Sequence, residues 1–460
     1  MDAVDLARWQ FGVTTVYHFL FVPITIGMSL LVAILNTVWV RTGNPAYLRA
    51  TKFFGTLFLI NFAMGVVTGI VQEFQFGMNW SSYSRFVGDI FGAPLALEAL
   101  LAFFLESTFL GLWIFGWNRL PKKVHLACIW LVAIGTMVSA YFILAANSFM
   151  QWPVGFRLNG RAELADFGAV LTNKILLAAF PHTILGCWLA GGVILMAVSS
   201  WHLARRRDLD VFRPALRLGA VVVLVGAFGT LVSGDILGKM MTQTQPMKMA
   251  AAEALYETRQ PAPFSLFTIG TLDGTKPIYQ LEIPYLLSQL ATGSFDGKVQ
   301  GINDLQAAYE RRFGPGDYRP YIPVAYWGFR LMIGFGMLAA LVALALLWLT
   351  RGGRIRGRSW VWRLAVWSVV LPFLAHSFGW IFTEMARQPW IVFSQMKTVH
   401  GVSPSVGAGT VLTSLIVFTA LYGALAVVEA GLMIKYGRST PPPADDGERN
   451  DGGGEMSFSY

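Results

Sequence analysis

The stretch ALEALLAFFLESTFLGLW, residues 96–113, decides the fold. It holds two carboxylates, Glu98 and Glu106, in an otherwise uncharged and mostly apolar run. A helix of roughly 20 such residues crosses the hydrocarbon of a bilayer. Working outward, the same texture recurs at about 10–40, 51–76, 92–117, 125–149, 174–201, 214–238, 324–349, 361–384 and 408–434. The chain is 55% hydrophobic and 13% charged, well outside soluble usage. Strand-length alternating segments are absent, which excludes an outer-membrane barrel. The expected fold class is therefore all-α, a polytopic membrane bundle of about nine transmembrane helices.

The formal net charge of +9 could point to nucleic acid, but its distribution gives another reason. Basic residues gather in alternate loops: Arg41, Arg49 and Lys52; Arg119, Lys122 and Lys123; Arg205, Arg206, Arg207 and Arg213; Arg351, Arg354, Arg356 and Arg358; Lys435 and Arg438. The positive-inside rule then places the N-terminus outside and the C-terminus in the cytoplasm, and no nucleic acid is needed to explain the charge. The opening MDAVDLARWQ lacks a basic n-region and a cleavage site, so the first span is expected to be retained. Cys128 and Cys187 both fall inside spans and read as packing residues. The chain thus divides into helices one to six (1–238), one long outside connection (239–323), helices seven to nine (324–435) and a tail (436–460) of disordered composition. A connection that long is more often functional than idle.

Ionisable groups at membrane depth are costly, and each is a functional candidate. They are His18, Glu73, Glu98, Glu106, His182, Asp235, Lys239, Arg330, His376, Glu384 and Glu429, of which Lys239 and Glu429 are placed to snorkel. In an ideal helix, Glu98 and Glu106 are separated by about 12 Å of rise and an offset of roughly 80°. Both can line one interior, as steps of a proton path or flanks of a cofactor, or each can be a protonated, hydrogen-bonded packing residue. His18 and His182 lie mid-span, where a histidine serves as metal or heme ligand, proton relay or packing group. In GWIFTEMARQPW (379–390), Trp380, Glu384 and Arg387 share a helix face. That trio suits a charged planar cofactor, or an interfacial anchor. Six histidines are too few, and too scattered, for a heme–copper site or for paired hemes along two helices.

Six segments carry a resemblance: RWQFGVTTVYHFLFVPITIG (8–27), GIVQEFQFGMNW (69–80), APLALEALLAFFLESTFLGLW (93–113), QPMKMAAAEALYET (245–258), YWGFRLMIGFG (326–336) and TEMARQPW (383–390). In this order they resemble the first large subunit of cytochrome bd quinol oxidase, of the type with a short quinol loop, from Arg8 to Gly431. The resemblance implies that His182 and Met332 are the axial pair of a low-spin heme b, with Arg330 steadying its charge. It further implies His18 on heme d, Glu384 on a high-spin heme b, and Glu98 as sixth ligand or proton donor beside the oxygen-reducing heme. By the same resemblance Glu106 is a proton-path step, Trp380 stands between the high-spin hemes, and Arg8 and Arg387 meet propionates. Lys248 and Glu253 match the pair that oxidises quinol; His376 matches no ligand and reads as a packing or hydrogen-bonding residue.

The implied cofactors are two hemes b and one heme d. The implied partners are menaquinol or ubiquinol, O2, membrane lipid, a second large subunit and small single-helix subunits. The implied location is the bacterial cytoplasmic membrane, where proton motive force would be built without pumping. Two alternatives stand beside this reading: an oxidase of the same fold with only b-type hemes, and a proton-coupled transporter.

Overall fold

The computed structural model describes residues 2–271, 274–355 and 358–444. Arg356 and the tail beyond residue 444 lie outside the described residues. Fifteen α-helices are present among those described: α1 (Ala3–Thr42), α2 (Pro45–Met78), α3 (Ser81–Leu97), α4 (Phe104–Phe115), α5 (Lys122–Gln151), α6 (Phe167–Leu171), α7 (Lys174–Leu203), α8 (Leu209–Thr244), α9 (Pro246–Glu253), α10 (Leu286–Thr292), α11 (Ile302–Phe313), α12 (Ile322–Leu349), α13 (Ser359–Trp367), α14 (Val370–Met385) and α15 (Ala408–Gly437). Twelve of them, joined across short irregularities, make nine segments long and apolar enough to cross a membrane. Three antiparallel strand pairs decorate the connections: β1 (Phe156–Leu158) with β2 (Ala162–Leu164), β3 (Phe264–Gly270) with β4 (Pro277–Ile283), and β5 (Trp390–Val392) with β6 (Met396–Lys397).

Helices α1 and α7 form the centre, packed on each other, with α2 and α5 also against α1 and α8 against α7. Small residues permit this. A Cβ on Gly191 would lie 2.7 Å from Gly27 Cα, and one on Gly192 would lie 2.7 Å from Gly219 O, so α1, α7 and α8 meet backbone to backbone. Close approach replaces the hydrophobic drive that lipid cannot supply between apolar helices.

Most spans run several residues past their apolar cores, because membrane helices continue into water until a cap or proline stops them. α8 continues to Thr244, beyond the expected end at 238, and carries an Asp235–Lys239 ion pair of 2.5 Å. Pro246 stops it: Gln245, before the proline, takes φ −137° and ψ 68°, and α9 starts. The long connection is folded, holding α9, the β3–β4 hairpin, α10 and α11 around a core that includes Tyr256, Leu287, Tyr309 and Tyr318.

Residues 96–113 are not one ideal helix. A π-helical turn, Glu98–Phe103, separates α3 from α4. One π turn absorbs an extra residue, about 100° of rotation, so the roughly 80° offset expected of Glu98 and Glu106 shrinks to near alignment. Both glutamates accordingly face α5, at positions one turn apart: Ser139 Oγ donates to Glu98 Oε1 at 2.8 Å, and Glu106 Cγ would stand 2.7 Å from a Cβ on Gly135.

Candidate functional site

Five of the six histidines fall into two classes by which ring nitrogen meets a partner. Thr68 Oγ1 donates its one hydrogen to the carbonyls of Met64 and Gly65, both at 3.0 Å, the ordinary back-bond of a helical threonine. With that hydrogen assigned to the backbone, the hydroxyl accepts from His18 Nδ1, 2.9 Å away, and this tautomer leaves Nε2 free to ligate. His182 repeats the arrangement from a different helix pair: Ser233 Oγ donates to Gly229 O at 2.7 Å and lies 3.2 Å from His182 Nδ1, and the Thr230 backbone is a further hydrogen-bond partner of the ring. A metal-binding imidazole commonly donates its other ring N–H to a carboxylate, backbone carbonyl or water, and the hydroxyls of Thr68 and Ser233 stand in that place.

His125, His202 and His376 do the reverse. Their Nε2 atoms lie 2.8, 2.9 and 3.2 Å from the carbonyls of Trp113, Gly437 and Gly186, which only accept, so each holds its proton on Nε2. His125 and His202 occupy end turns of α5 and α7. His376 also packs edge-on to Phe19, in keeping with its reading as a packing and hydrogen-bonding residue. Cys128 and Cys187 are buried and unlinked.

Glycines leave room beside the candidate ligands. A Cβ on Gly69 would stand 3.3 Å from His18 Cε1, one on Gly234 3.2 Å from His182 Cε1, and one on Gly379 2.9 Å from Met332 Sδ. The thioether of α12 thus faces α14 one turn from His376. Trp380, also on α14, packs edge-on to Phe19, the neighbour of His18, with ring centroids 4.7 Å apart.

Glu384 sits at the end of α14 in a polar cluster built from four segments. Asn147 Nδ2 donates to Glu384 Oε1 at 3.0 Å, and the Arg387 guanidinium holds Oε2. Arg387 is 4% exposed, donates to Ile391 O at 2.5 Å, and keeps a buried Nε without a partner among the described residues. Arg8 reaches the same cluster from α1 by donating to Gln388 Oε1 at 2.7 Å, and Gln388 Nε2 lies 3.4 Å from Glu384 O. Gln151 Nε2 donates to Asn147 Oδ1 at 2.8 Å, and its Oε1 accepts from Lys248 Nζ at 3.0 Å. A continuous line of hydrogen bonds therefore runs from Lys248 through Gln151 and Asn147 to Glu384.

Lys248 and Glu253 both belong to α9 but do not touch. Five residues on a helix turn through about 140°, which sends them to different faces. Lys248 points to Gln151 and to Thr383 O, each 3.0 Å away. Burial pushes its ammonium down from 10.5 to about 7, against the attraction of Glu384. Glu253 points to Arg330, with Oε2 2.6 Å from Nη2. Burial pushes this carboxyl up, and the Arg330 charge and its hydrogen bonds oppose the rise. Arg330 also donates through Nε and Nη2 to Ser265 O, at 3.0 and 2.6 Å. Its guanidinium, two residues before Met332, is thus committed to the loop carboxylate and the β3 backbone.

The donor set fits a heme group on its chemistry. Two imidazoles with bare Nε2 atoms and a thioether beside a glycine are heme-iron ligands of ordinary type. A buried arginine with an unspent Nε suits a propionate. Among the described residues no group of three or more His, Cys, Asp or Glu forms a separate metal cluster. Thr68, Ser233, Asn147, Gln151 and Ser139 were beyond sequence reading, since their roles depend on which helix lies opposite.

Comparison with known proteins gives one answer throughout. The profile of cytochrome bd terminal oxidase subunit I matches residues 6–441. Cytochrome bd ubiquinol oxidase subunit 1 of Bacillus subtilis is 48% identical over 437 residues, 95% of this chain and 93% of that protein. Cytochrome bd-II ubiquinol oxidase subunit 1 of Escherichia coli is 39% identical over 500 aligned positions, 96% and 97% of the two chains. A bd oxidase structure from Geobacillus thermodenitrificans superposes with a TM-score of 0.86 at 32% identity, covering 95% of this chain and 98% of that one. Ligand-ready histidines, a nine-span bundle and these matches together assign the chain to the cytochrome bd terminal oxidase subunit I family.

Proposed function

We propose that this chain is the heme-bearing large subunit of a terminal oxidase that oxidises quinol and reduces O2 to water. The observation that carries the reading is the pair of histidines, His18 and His182, whose Nε2 lone pairs are freed by Thr68 and Ser233. Family membership implies heme cofactors and a multi-pass membrane protein. The finer assignment is ours: His182 and Met332 hold a low-spin heme b, His18 holds heme d and Glu384 a high-spin heme b. Glu98 serves as sixth ligand or proton donor at the oxygen site. Bound hemes supply electron transfer and the iron at which oxygen is reduced.

The chain's own groups perform the rest. Glu253 is the base that takes a quinol hydroxyl proton, a role that a buried carboxyl with a raised affinity for protons suits. Lys248 offers Nζ–H to the quinone oxygen. Arg387 and Arg8 hold propionate charge at the Glu384 end, and Trp380 keeps the interior beside His18 dry. Ser139, Glu98 and Glu106 line one face and move protons inward from the cytoplasm. In this reading the quinol loop lies on the outer side of the bacterial cytoplasmic membrane, which the basic alternate loops support. Protons released outside and consumed from inside separate charge without a pump, each charge worth about 2.3 kcal/mol per 100 mV. The partners of this reading are menaquinol or ubiquinol, O2, a second large subunit and small single-helix subunits.

The test is the purified complex: it should consume oxygen with quinol and show a reduced-minus-oxidised spectrum of hemes b and d. Oxygen consumption without a far-red band would assign b-type heme to the oxygen site. A preparation lacking Soret absorbance would overturn the reading altogether and favour proton-coupled transport.

Lys248 gives a pH prediction. With its folded value near 7, the ammonium is present below that pH and lost as pH rises through it. If the ammonium binds the quinone oxygen, kcat/KM for quinol falls above about pH 7. Lys248→Met should remove that alkaline limb and raise KM about tenfold or more, the worth of a hydrogen bond to a charged group at 1.5–3 kcal/mol. An alkaline limb that persists in the variant would take Lys248 out of the step.

A further inference from the structure

The β3–β4 hairpin is inside out. Its register pairs Ser265 with Glu282 and Thr268 with Gln280 on one face, and Phe267 with Leu281 and Ile269 with Tyr279 on the other. In a hairpin lying on a protein in water, the apolar face turns inward and the polar face outward. Here the polar face is covered. Ser265 and Thr268 are buried, their hydroxyls 2.6 Å apart, and Ser265 Oγ is 2.9 Å from the Tyr326 hydroxyl of α12. The apolar face is bare: Ile269 is 46% exposed, Leu281 50% and Tyr279 55%.

Two observations say what covers it. The bare face is continuous with the apolar flank of α12, because Phe267 packs edge-on to Trp327 at 5.3 Å and α12 then exposes Met337, Leu338, Leu341 and Leu344. The hairpin also joins α12 at one depth. The 28 residues of α12 span about 42 Å against about 30 Å of hydrocarbon, and Trp327 lies about 7.5 Å from the helix start, at the boundary of the two. Exposed Tyr279, Tyr285, Tyr321 and Trp327 ring this region, the aromatic composition of a membrane–water interface.

We propose that the outward face of the β3–β4 hairpin is seated in the lipid at the membrane boundary beside the head of α12. The hairpin is then an interfacial anchor for the long connection: its apolar side chains sit among acyl chains and its polar face closes on α12. The occupant is lipid rather than a protein subunit, since the face carries no charge or hydrogen-bonding pattern for a partner to read and runs without a break into the flank of a spanning helix.

Site-directed spin labelling of the whole complex in lipid nanodiscs tests this. Cys128 and Cys187 are buried, so a label goes to an introduced thiol. Leu281→Cys and Ile269→Cys are made separately, so that either can report if the other fails to assemble, with Arg311→Cys on exposed α11 as the aqueous reference. Seating in lipid predicts that relaxation by oxygen exceeds relaxation by a water-soluble nickel chelate, with their ratio several-fold above that at position 311. A ratio equal to the reference would place the face in water and overturn the proposal. Protection from both reagents would show a protein subunit covering it, and would overturn it equally. The readout does not depend on quinol turnover, so it stands apart from the proposed reaction.

Discussion

Met332→Leu is expected to abolish the low-spin heme signal while leaving the protein folded. Leucine and methionine have similar volumes, and such a swap usually costs under about 1.5 kcal/mol. What it removes is the thioether donor that faces Gly379 across the α12–α14 contact. A methionine ligand raises the potential of its iron, so its loss should lower the midpoint and slow entry of electrons from quinol. The measurements are the reduced-minus-oxidised spectrum, a redox titration and the heme content by pyridine hemochrome. The low-spin band should vanish with heme content retained or reduced by one. An unchanged spectrum and midpoint would remove Met332 from the ligand set. Gly379→Ala is the complementary variant: its Cβ would lie 2.9 Å from the sulfur, so Met332 must shift and the same band should broaden or move.

Arg330→Leu, two residues earlier on the same helix, should be as severe. Glu253 and Arg330 form a buried pair, with side chains 2% and 12% exposed. Breaking such a pair from one side costs about 3–5 kcal/mol, because the remaining charge keeps its desolvation penalty and loses its partner. In this variant burial acts on Glu253 without the opposing Arg330 charge, so its proton is held more tightly. The acid limb of quinol oxidation should move to higher pH, and the folded protein should lose stability by about that amount. Arg330→Lys should recover only part, since an ammonium cannot bind the carboxylate and Ser265 O with one planar fork. A double-mutant cycle with Glu253→Gln, read by thermal stability and by the pH profile, checks the coupling. Additive effects would mean that the pair is structural ornament and that Glu253 acts alone.

Lys248 and Glu253 show why sequence spacing misleads on a short helix. They stand five apart in one motif and read as one functional pair, yet α9 turns them to opposite sides. Lys248 joins the Glu384 cluster through Gln151 and Asn147, whereas Glu253 joins Arg330 and the β3 strand. Each end of the proposed quinol site is therefore wired to a different candidate heme pocket. No spacing rule could reveal this, because Gln151, Asn147 and Arg330 lie on helices far away in the chain.

Composition was sufficient for the nine spans, the long connection and the list of costly buried groups, since the price of charge in hydrocarbon is a local property of a segment. Motif resemblance was sufficient for the family, and it named His18, His182, Met332 and Glu384 as candidate ligands. What it could not give is the hydrogen bonding across helix pairs. Thr68 and Ser233 meet Nδ1 of His18 and His182, whereas carbonyls meet Nε2 of His125, His202 and His376. The π turn in residues 98–103 likewise cannot be read from ALEALLAFFLESTFLGLW, because an extra residue in one turn leaves no mark on the hydropathy of the segment. Hydropathy is additive along the chain and survives without a fold; tautomers, ion pairs and helix phase exist only once two segments have met.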